Sequence, residues 1–287
     1  IAWLAAREEM TDPNWKGSWY YTYSRVPPYN RIATSPGGGI RDVRGVDATS
    51  SLFVYLLYLH KRVTGSDVFA KRYEANAKAA LNFVLTRNWS RDGFSLSSWQ
   101  LNRRGRWVLW RYEYTADQGD VYLGMRAGAL LYGTQEYLAA ANHLQGNVNR
   151  VFFLPQQGRY AIGRDELSPP DTELDEFDGV FPQGYVPWVF GANTQNVAAY
   201  QWLNRSVQRD GSLKLFRGDP GFSLSAIIYV MAAQAVGAPA PDRTIDWIIG
   251  GIDPSNGGIH DTADVMDSEY SNVAGFAVVA LLGQPAW

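Results

Sequence analysis

Two kinds of helical pattern alternate along the chain. From about Asp67 to Thr86, apolar Phe69, Tyr73, Ala77, Ala80, Leu81 and Val84 recur at a spacing that gathers them on one face, as in a helix half in solvent. From Val121 to Gly133, Leu123, Met125, Leu130 and Leu131 mingle with Gly124, Ala127, Gly128 and Ala129, leaving little polar surface. A helix apolar nearly all round is enclosed on all sides.

The alternation repeats five times, and each repeat carries a glycine turn followed by an apolar residue. The turns are Lys16-Gly-Ser-Trp19, Asp92-Gly-Phe94, Gln157-Gly-Arg-Tyr160, Asp210-Gly-Ser-Leu213 and Asn256-Gly-Gly-Ile259. Glycine supplies the positive φ such turns require. The first repeat predicts a short helix over Ile1–Met10, a loop from Asn14 to Gly45 and a helix over Val46–Val63 with Gly65 as its C′ residue. The second runs from the Asp67–Thr86 helix through a loop, Asp92 to Ala116, into the enclosed Val121–Gly133 helix. There Thr115 and Asp117 read as N-cap candidates, and Asp117 and Asp120 suit the positive end of the dipole. The third has a helix over Thr134–Phe153, an acidic loop and an apolar stretch, Gly184–Gly191, which Pro187 shortens. The fourth spans Asn193–Val207, the loop Phe216–Asp219 and a helix over Pro220–Val236, with Pro220 at a first helical position. The fifth spans Asp242–Ile249, the loop Asn256–Asp267 and a helix over Ser268–Leu282.

Hairpins that pair a half-wet helix with an enclosed one bury the second set when they close into a ring. An open solenoid would wet one face of those helices. The pattern therefore predicts an all-α protein, a single (α/α) toroid domain over 1–287 built of five to six hairpins with long loops on one face.

Composition narrows the chemistry. Aromatic residues make up 14% of the chain, with 11 Trp and 17 Tyr, broad faces with a polar handle that suit both sugar stacking and large helical cores. The net charge of -2, with acids and bases mixed, gives no nucleic-acid footprint and no polybasic membrane surface. No apolar run reaches the length of a membrane span. Cysteine is absent, which excludes disulfides, thiolate zinc and a cysteine nucleophile. His60, His143 and His260 lie far apart, so neither a metal nor another cofactor is expected. The acidic loop Asp171–Gly179 places its glycine too late for an EF-hand and reads as solvated. The chain begins at Ile1 in an apolar stretch, and a trimmed leader with a secreted or periplasmic location is the expectation. Two sequons, Asn88-Trp-Ser90 and Asn204-Arg-Ser206, are present. Cyclases and prenyltransferases of ring shape need cysteine or an Asp-rich box, and neither occurs.

Ser35-Pro-Gly-Gly-Gly-Ile-Arg-Asp-Val-Arg-Gly-Val-Asp47 resembles the acid- and arginine-bearing loop before an inner helix of the six-hairpin glycosidase-like proteins. Thr115-Ala-Asp-Gln-Gly-Asp120 is similar to the entry of an inner helix in some endoglucanases of that superfamily. The resemblance covers nearly the whole chain through its architecture, with five hairpins visible where many relatives have six. It implies a cleft at the N-terminal ends of the inner helices and an oligo- or polysaccharide substrate, cleaved with inversion by paired carboxyl groups.

Glycoside hydrolysis needs one protonated and one ionised carboxyl group flanking the bond. Loop-end candidates are Asp42, Glu113, Asp117, Asp178 and Asp267, with Asp175, Asp219, Asp264 and Glu269 behind them. Glu113, between Tyr112 and Tyr114 and near Trp110, is the first choice for the acid, because a dry aromatic setting raises a carboxyl pKa. Asp42, between Arg41 and Arg44, is expected to stay ionised. Asp117 and Asp267 read as bases or N-caps. Trp19, Tyr20, Arg41, Trp99, Trp107, Trp110, Arg111, Tyr185, Trp188, His260 and Tyr270 are the expected sugar contacts. Two alternatives remain open. A lyase acting on a uronate glycan would use His260, a loop tyrosine and Arg41, Arg111 or Arg217, and a non-catalytic toroid would bind glycan or protein through the same aromatics.

Overall fold

A computed structural model describes the chain apart from residues 25, 174–178, 216–220, 222, 240, 263, 264, 270 and 284, and describes residues 260–274 without their side chains. It divides into two compact units, one of 1–148 with 163–169 and one of 149–162 with 170–287, where the sequence reads as a single domain.

In chain order, the first repeat holds α1 (Ala2–Ala5), β1 (Thr22–Tyr23), β2 (Arg31–Ile32), β3 (Ile40–Arg44) and α2 (Asp47–Thr64). The second holds α3 (Val68–Arg72), α4 (Glu74–Arg87), β4 (Ser98–Asn102), β5 (Trp107–Trp110), β6 (Tyr112–Tyr114) and α5 (Thr115–Tyr132). The third holds α6 (Gln135–Val151), β7 (Phe153–Leu154), β8 (Arg159–Tyr160), β9 (Gly163–Asp165) and α7 (Phe181–Phe190). Then come α8 (Thr194–Asn204) and α9 (Ser223–Ala235), and finally α10 (Asp242–Gly250), β10 (His260–Thr262), β11 (Val265–Glu269) and α11 (Ser271–Leu281).

The two helical patterns differ in burial as their sequences require. In α6, Tyr137, Ala141, Leu144 and Val148 form one buried stripe. In α9, every residue from Ser223 to Ala233 is buried. Val180, Leu203, Leu213, Tyr229 and Ala232 form a core of the second unit.

All five turn glycines adopt positive φ, and each turn closes a miniature antiparallel hairpin. The pairs are Glu9 with Ser18, Trp89 with Ser95, Phe153 with Tyr160, Val207 with Leu213 and Ile252 with Ile259. At Gly17 and Gly211 the turn also lies against the backbone of the following outer helix. A Cβ on Gly17 would stand 2.0 Å from the Ala79 carbonyl oxygen of α4, and one on Gly211 would stand 2.1 Å from that of Arg243 in α10.

Several boundaries depart from the sequence reading. The first helix is only four residues long, and Tyr73 breaks the expected Asp67–Thr86 helix into α3 and α4. α5 starts six residues before Val121, at Thr115, with Tyr114 as its N-cap residue, so neither Thr115 nor Asp117 is an N-cap. α7 keeps ten residues with Pro187 inside it, helped by Pro182 in its first turn. The stretches read as long loops contain an antiparallel sheet, β3-β4-β5, and a β6-β9 pair. The alternation Trp99, Leu101 and Trp107, Leu109 about the turn Asn102–Gly105 carries that hairpin in the sequence.

Gly17→Ala should cost at least about 2 kcal/mol, because the methyl group collides with a helix backbone at an already strained φ. Gly65→Ala, at positive φ but with open space around it, should cost about 1 kcal/mol. Denaturant unfolding of the two variants checks this, and equal losses would refute the close approach as the reason for Gly17.

Candidate active site

The site is set by how closely α5 lies on α2. A Cβ on Gly124 would stand 2.6 Å from both Cα and the carbonyl oxygen of Ser51, so only glycine permits this approach. One turn toward the N-termini from that contact lie Asp47, four residues before Ser51, and Asp120, four before Gly124. Asp117 lies about a turn further along the same face of α5. The close contact thereby gathers three carboxyl groups where two enclosed helices begin.

Asp47 is fully buried, and Ala48 N donates 2.8 Å to its Oδ1. Its Oδ2 has no hydrogen-bond partner among the described residues. Burial, and then the nearby Asp117 carboxylate, push the Asp47 pKa well above the ordinary aspartate value, with the Ser95 hydroxyl opposing them. Asp117 and Asp120 are half-buried.

Ser95 is held in place by Gln118, which is also fully buried. Ser95 N donates 2.7 Å to Gln118 Oε1, and Gln118 Nε2 donates 2.9 Å to the carbonyls of Ser95 and Tyr114. Asn88 fixes the approach to α2 by donating to the carbonyls of Gly45 and Leu96 at 2.8 and 2.9 Å. Asn88 has no exposed surface, which removes its sequon as a glycan acceptor. Neither Asp47, Ser95 nor Gln118 stood among the sequence candidates. The available signal was an acid or amide in the first turn of α2, α5 and α7.

Glu113 occupies a different place from the one its aromatic neighbours suggest. Strand alternation sends it away from Tyr112 and Tyr114, into a fully buried ion pair with Arg164 at 2.7 Å. Arg164 also pairs with Asp92. Burial raises the Glu113 pKa to about 7, with Arg164 opposing the shift, and its carboxylate is already engaged by the Arg164 guanidinium. Asp42 is likewise buried, and its cation is Arg31 rather than Arg41 or Arg44. It accepts from Thr34 N at 3.1 Å and Val43 N at 2.9 Å, pinning the loop before α2. Arg41 is exposed.

The β3-β4-β5 sheet separates the expected aromatic contacts. Its register puts Arg44, Trp99, Leu101, Trp107 and Leu109 on one face and Val43, Ser98, Gln100, Val108 and Trp110 on the other. On the first face Trp15 meets Trp99 and Trp107 edge-on, each at 5.4 Å, and the Arg44 guanidinium lies 4.1 Å from the Trp15 ring. Tyr20 lies under Arg31 and Arg44. Trp110, partly exposed, joins Tyr112 and Tyr114 in a cluster next to the first turn of α5. Arg111 pairs with Glu166.

Trp19 is a core residue, 3% exposed, donating 2.8 Å to the Leu4 carbonyl and packing on Phe53. In the second unit Tyr185 is buried, stacked between Phe181 and a half-buried Trp188. Burial at both positions reflects apolar faces that the helices must hide, and it removes Trp19 and Tyr185 as open sugar platforms. His260 lies on β10 and Asp267 on β11, with their side chains outside the described residues, as are Asp178 and Tyr270 altogether. Among the described residues no three histidine or carboxylate side chains converge as metal ligands would, and no helix is long and apolar enough to cross a membrane.

No family model matches the chain, and no curated protein matches it in sequence. Solved structures do match in fold. A possible member of the GH105 family from Klebsiella pneumoniae superposes with a TM-score of 0.62 at 11% identity, over 82% of this chain and 70% of that one. A wild-type glycosidase gives 0.53 at 14% identity, over 84% and 62%. The cellobiose 2-epimerase of Bacillus thermoamylovorans gives 0.53 at 12% identity, over 75% and 63%. The chain spans 62% of the length of the glycosidases it matches. It has the all-α fold of the six-hairpin glycosidase-like (α/α) toroids.

Glu8 is a further buried carboxyl group. Burial raises its pKa from 4.5 to about 8, against a 2.7 Å hydrogen bond from Asn76. A raised folded-state pKa contributes stability that is complete below the unfolded value and gone once the pH has risen through the folded one. Asp47, Glu113 and Glu8 all shift this way. The unfolding midpoint should therefore fall between about pH 5 and pH 8, and Glu8→Gln should flatten the upper part of that fall. Thermal scans across this range check both, and a midpoint that rises with pH would contradict the burial of these groups in neutral form.

Proposed function

We propose that the chain is a carbohydrate-active enzyme, a glycoside hydrolase that uses Asp47 and Asp117 as its carboxyl pair. The observation that carries this is the unequal environment of the two acids. Asp47 is sealed from solvent, without a cation among the described residues, and its proton is held by burial and by the Asp117 charge. Asp117 is half-buried in the first turn of the adjacent helix. Neighbouring carboxyls in unequal surroundings are how acid and base roles are divided at one pH. Asp47 then protonates the glycosidic oxygen, and Asp117 takes a proton from the attacking water, the inverting arrangement. Trp110, Tyr112 and Tyr114 offer ring faces for the sugar beside Asp117. The glycosidases among the structural neighbours, and one described in complex with glucose, support a saccharide substrate. A cellobiose 2-epimerase also stands among the structural neighbours, so the fold is not confined to hydrolases.

A panel of neutral and uronic-acid polysaccharides, read for reducing ends and for the ultraviolet absorbance of unsaturated uronate, tests the reading. Reducing ends without that absorbance are expected. Asp47→Asn and Asp117→Asn should each lower kcat/KM about a thousandfold. Asp47→Asn should keep or raise the unfolding midpoint, since it removes a buried group that must hold a proton the unfolded chain releases. Activity should be lost on the alkaline side as Asp47 ionises. Absorbance growing with reducing ends would mean elimination instead, and full activity in Asp47→Asn would overturn the assignment.

A further inference from the structure

A groove of about 440 Å³ runs between the C-terminal turn of α4 and the β4-β5 hairpin, lined by Thr86, Arg87, Trp99, Trp107, Leu109 and Arg111. Trp99 and Trp107 belong to the sheet face opposite the one that carries Trp110. Although Val108 of Trp110's face also borders the groove, none of Trp110, Tyr112 and Tyr114 lines it.

Its chemistry is cationic and aromatic together. The Arg87 guanidinium lies 5.2 Å from the Trp99 ring, and its buried Nε has no hydrogen-bond partner among the described residues. Arg111 gives its Nε to Glu166 but remains half-exposed. The hairpin tip beyond Trp107 continues the charge. Arg103, Arg104 and Arg106 are exposed, as is Arg41 opposite the end of β4, and none of the four forms an ion pair with a described residue. In a chain of net charge -2, so many unneutralised guanidiniums in one place make a local positive field that favours an anionic ligand. Indole edges and faces beside guanidiniums suit a ring that carries a carboxylate, with the guanidinium fork meeting the carboxylate and the indole meeting the apolar sugar face.

The geometry points to this groove as a second binding site, for an acidic, carboxylate-bearing oligosaccharide, distinct from the Asp47–Asp117 pair. The choice of a saccharide over another polyanion rests on the proposed function. The groove would hold a polymeric acidic chain while its bond is cut elsewhere.

The test is affinity electrophoresis and calorimetry of the full chain carrying Asp47→Asn, with polygalacturonate oligomers as the probe and neutral cello-oligosaccharides as the control. Binding of the acidic probe, weakened at least tenfold by Arg104→Glu with Arg106→Glu and by raised salt, is expected. Trp107→Ala should weaken it as well. Since Trp107 also packs on Trp15, the exposed arginine variants keep the test decisive if Trp107→Ala misfolds. Binding that these substitutions leave unchanged, equal binding of the neutral control, or no binding would overturn the site. Tighter binding of duplex DNA or of anionic lipid vesicles than of polygalacturonate would also overturn it. A chain that binds the acidic probe here but hydrolyses no glycan would overturn the hydrolase reading alone.

Discussion

The first turn of an α-helix leaves backbone groups that the helix itself cannot satisfy, and around an enclosed helix water cannot reach them all. At α2 the Asp47 carboxyl group takes one of them, the Ala48 N–H, and α2, α5 and α7 are each fastened by a side chain to the turn or strand of a glycine hairpin. Gln118 of α5 does so with three hydrogen bonds, two of them to Ser95. Gln183 of α7 repeats the arrangement on Tyr160 and Gly179, at 2.7, 2.8 and 3.0 Å. In α2 the link is Ser50 Oγ donating 3.2 Å to the Gly17 carbonyl. Helix and turn are thus locked together in the first three repeats, and in α5 and α7 whatever side chain the strand carries is delivered to the start of the helix. In α5 that side chain is Ser95, and it arrives beside Asp47.

The carboxyl pair is a consequence of the same enclosure. Gly124 lets α5 approach α2 to a distance no side chain would tolerate, and the approach leaves Asp47 without solvent and near two other acids. Such a site is unfavourable for stability, because a buried carboxyl group must either carry an unpaired charge or hold a proton that the unfolded chain would release. Local destabilisation of this kind is concentrated where function needs a perturbed pKa. The glycine fixes helix spacing, the spacing fixes first the burial and then the repulsion, and together they keep the proton on Asp47.

How much of this could be read from the sequence depended on whether a signal was local. The five glycine turns were legible because positive φ and the buried residue after it are both local demands. The single stripe of α6 and the enclosed pattern of α9 were legible for the same reason. The start of α5 was not, since Thr115-Ala-Asp-Gln-Gly-Asp120 reads as a capped loop unless one knows that Gln118 has a strand to bind. Asp117 could be found as an acid at a helix entry. Asp47 could not be paired with it, because their proximity comes from a contact between helices about seventy residues apart in sequence. The sheet was missed although the alternation of Trp99, Leu101, Trp107 and Leu109 announces it.

That alternation also decides between the two raised carboxyl groups of the first unit. Glu113 attracted attention through Tyr112 and Tyr114, yet a strand sends successive side chains to opposite faces, so its sequence neighbours are not its surroundings. Its true neighbour is Arg164, and the pair ties β6 to β9. A carboxyl group with a guanidinium partner that ties two strands has a structural task already. Asp47 has no cation among the described residues and a half-buried acid beside it. Both pKa values move upward through burial, so the shift alone does not mark a reactive group. What separates the two is the cation: Arg164 bridges Glu113 and Asp92, whereas no described cation pairs with Asp47 beside Asp117.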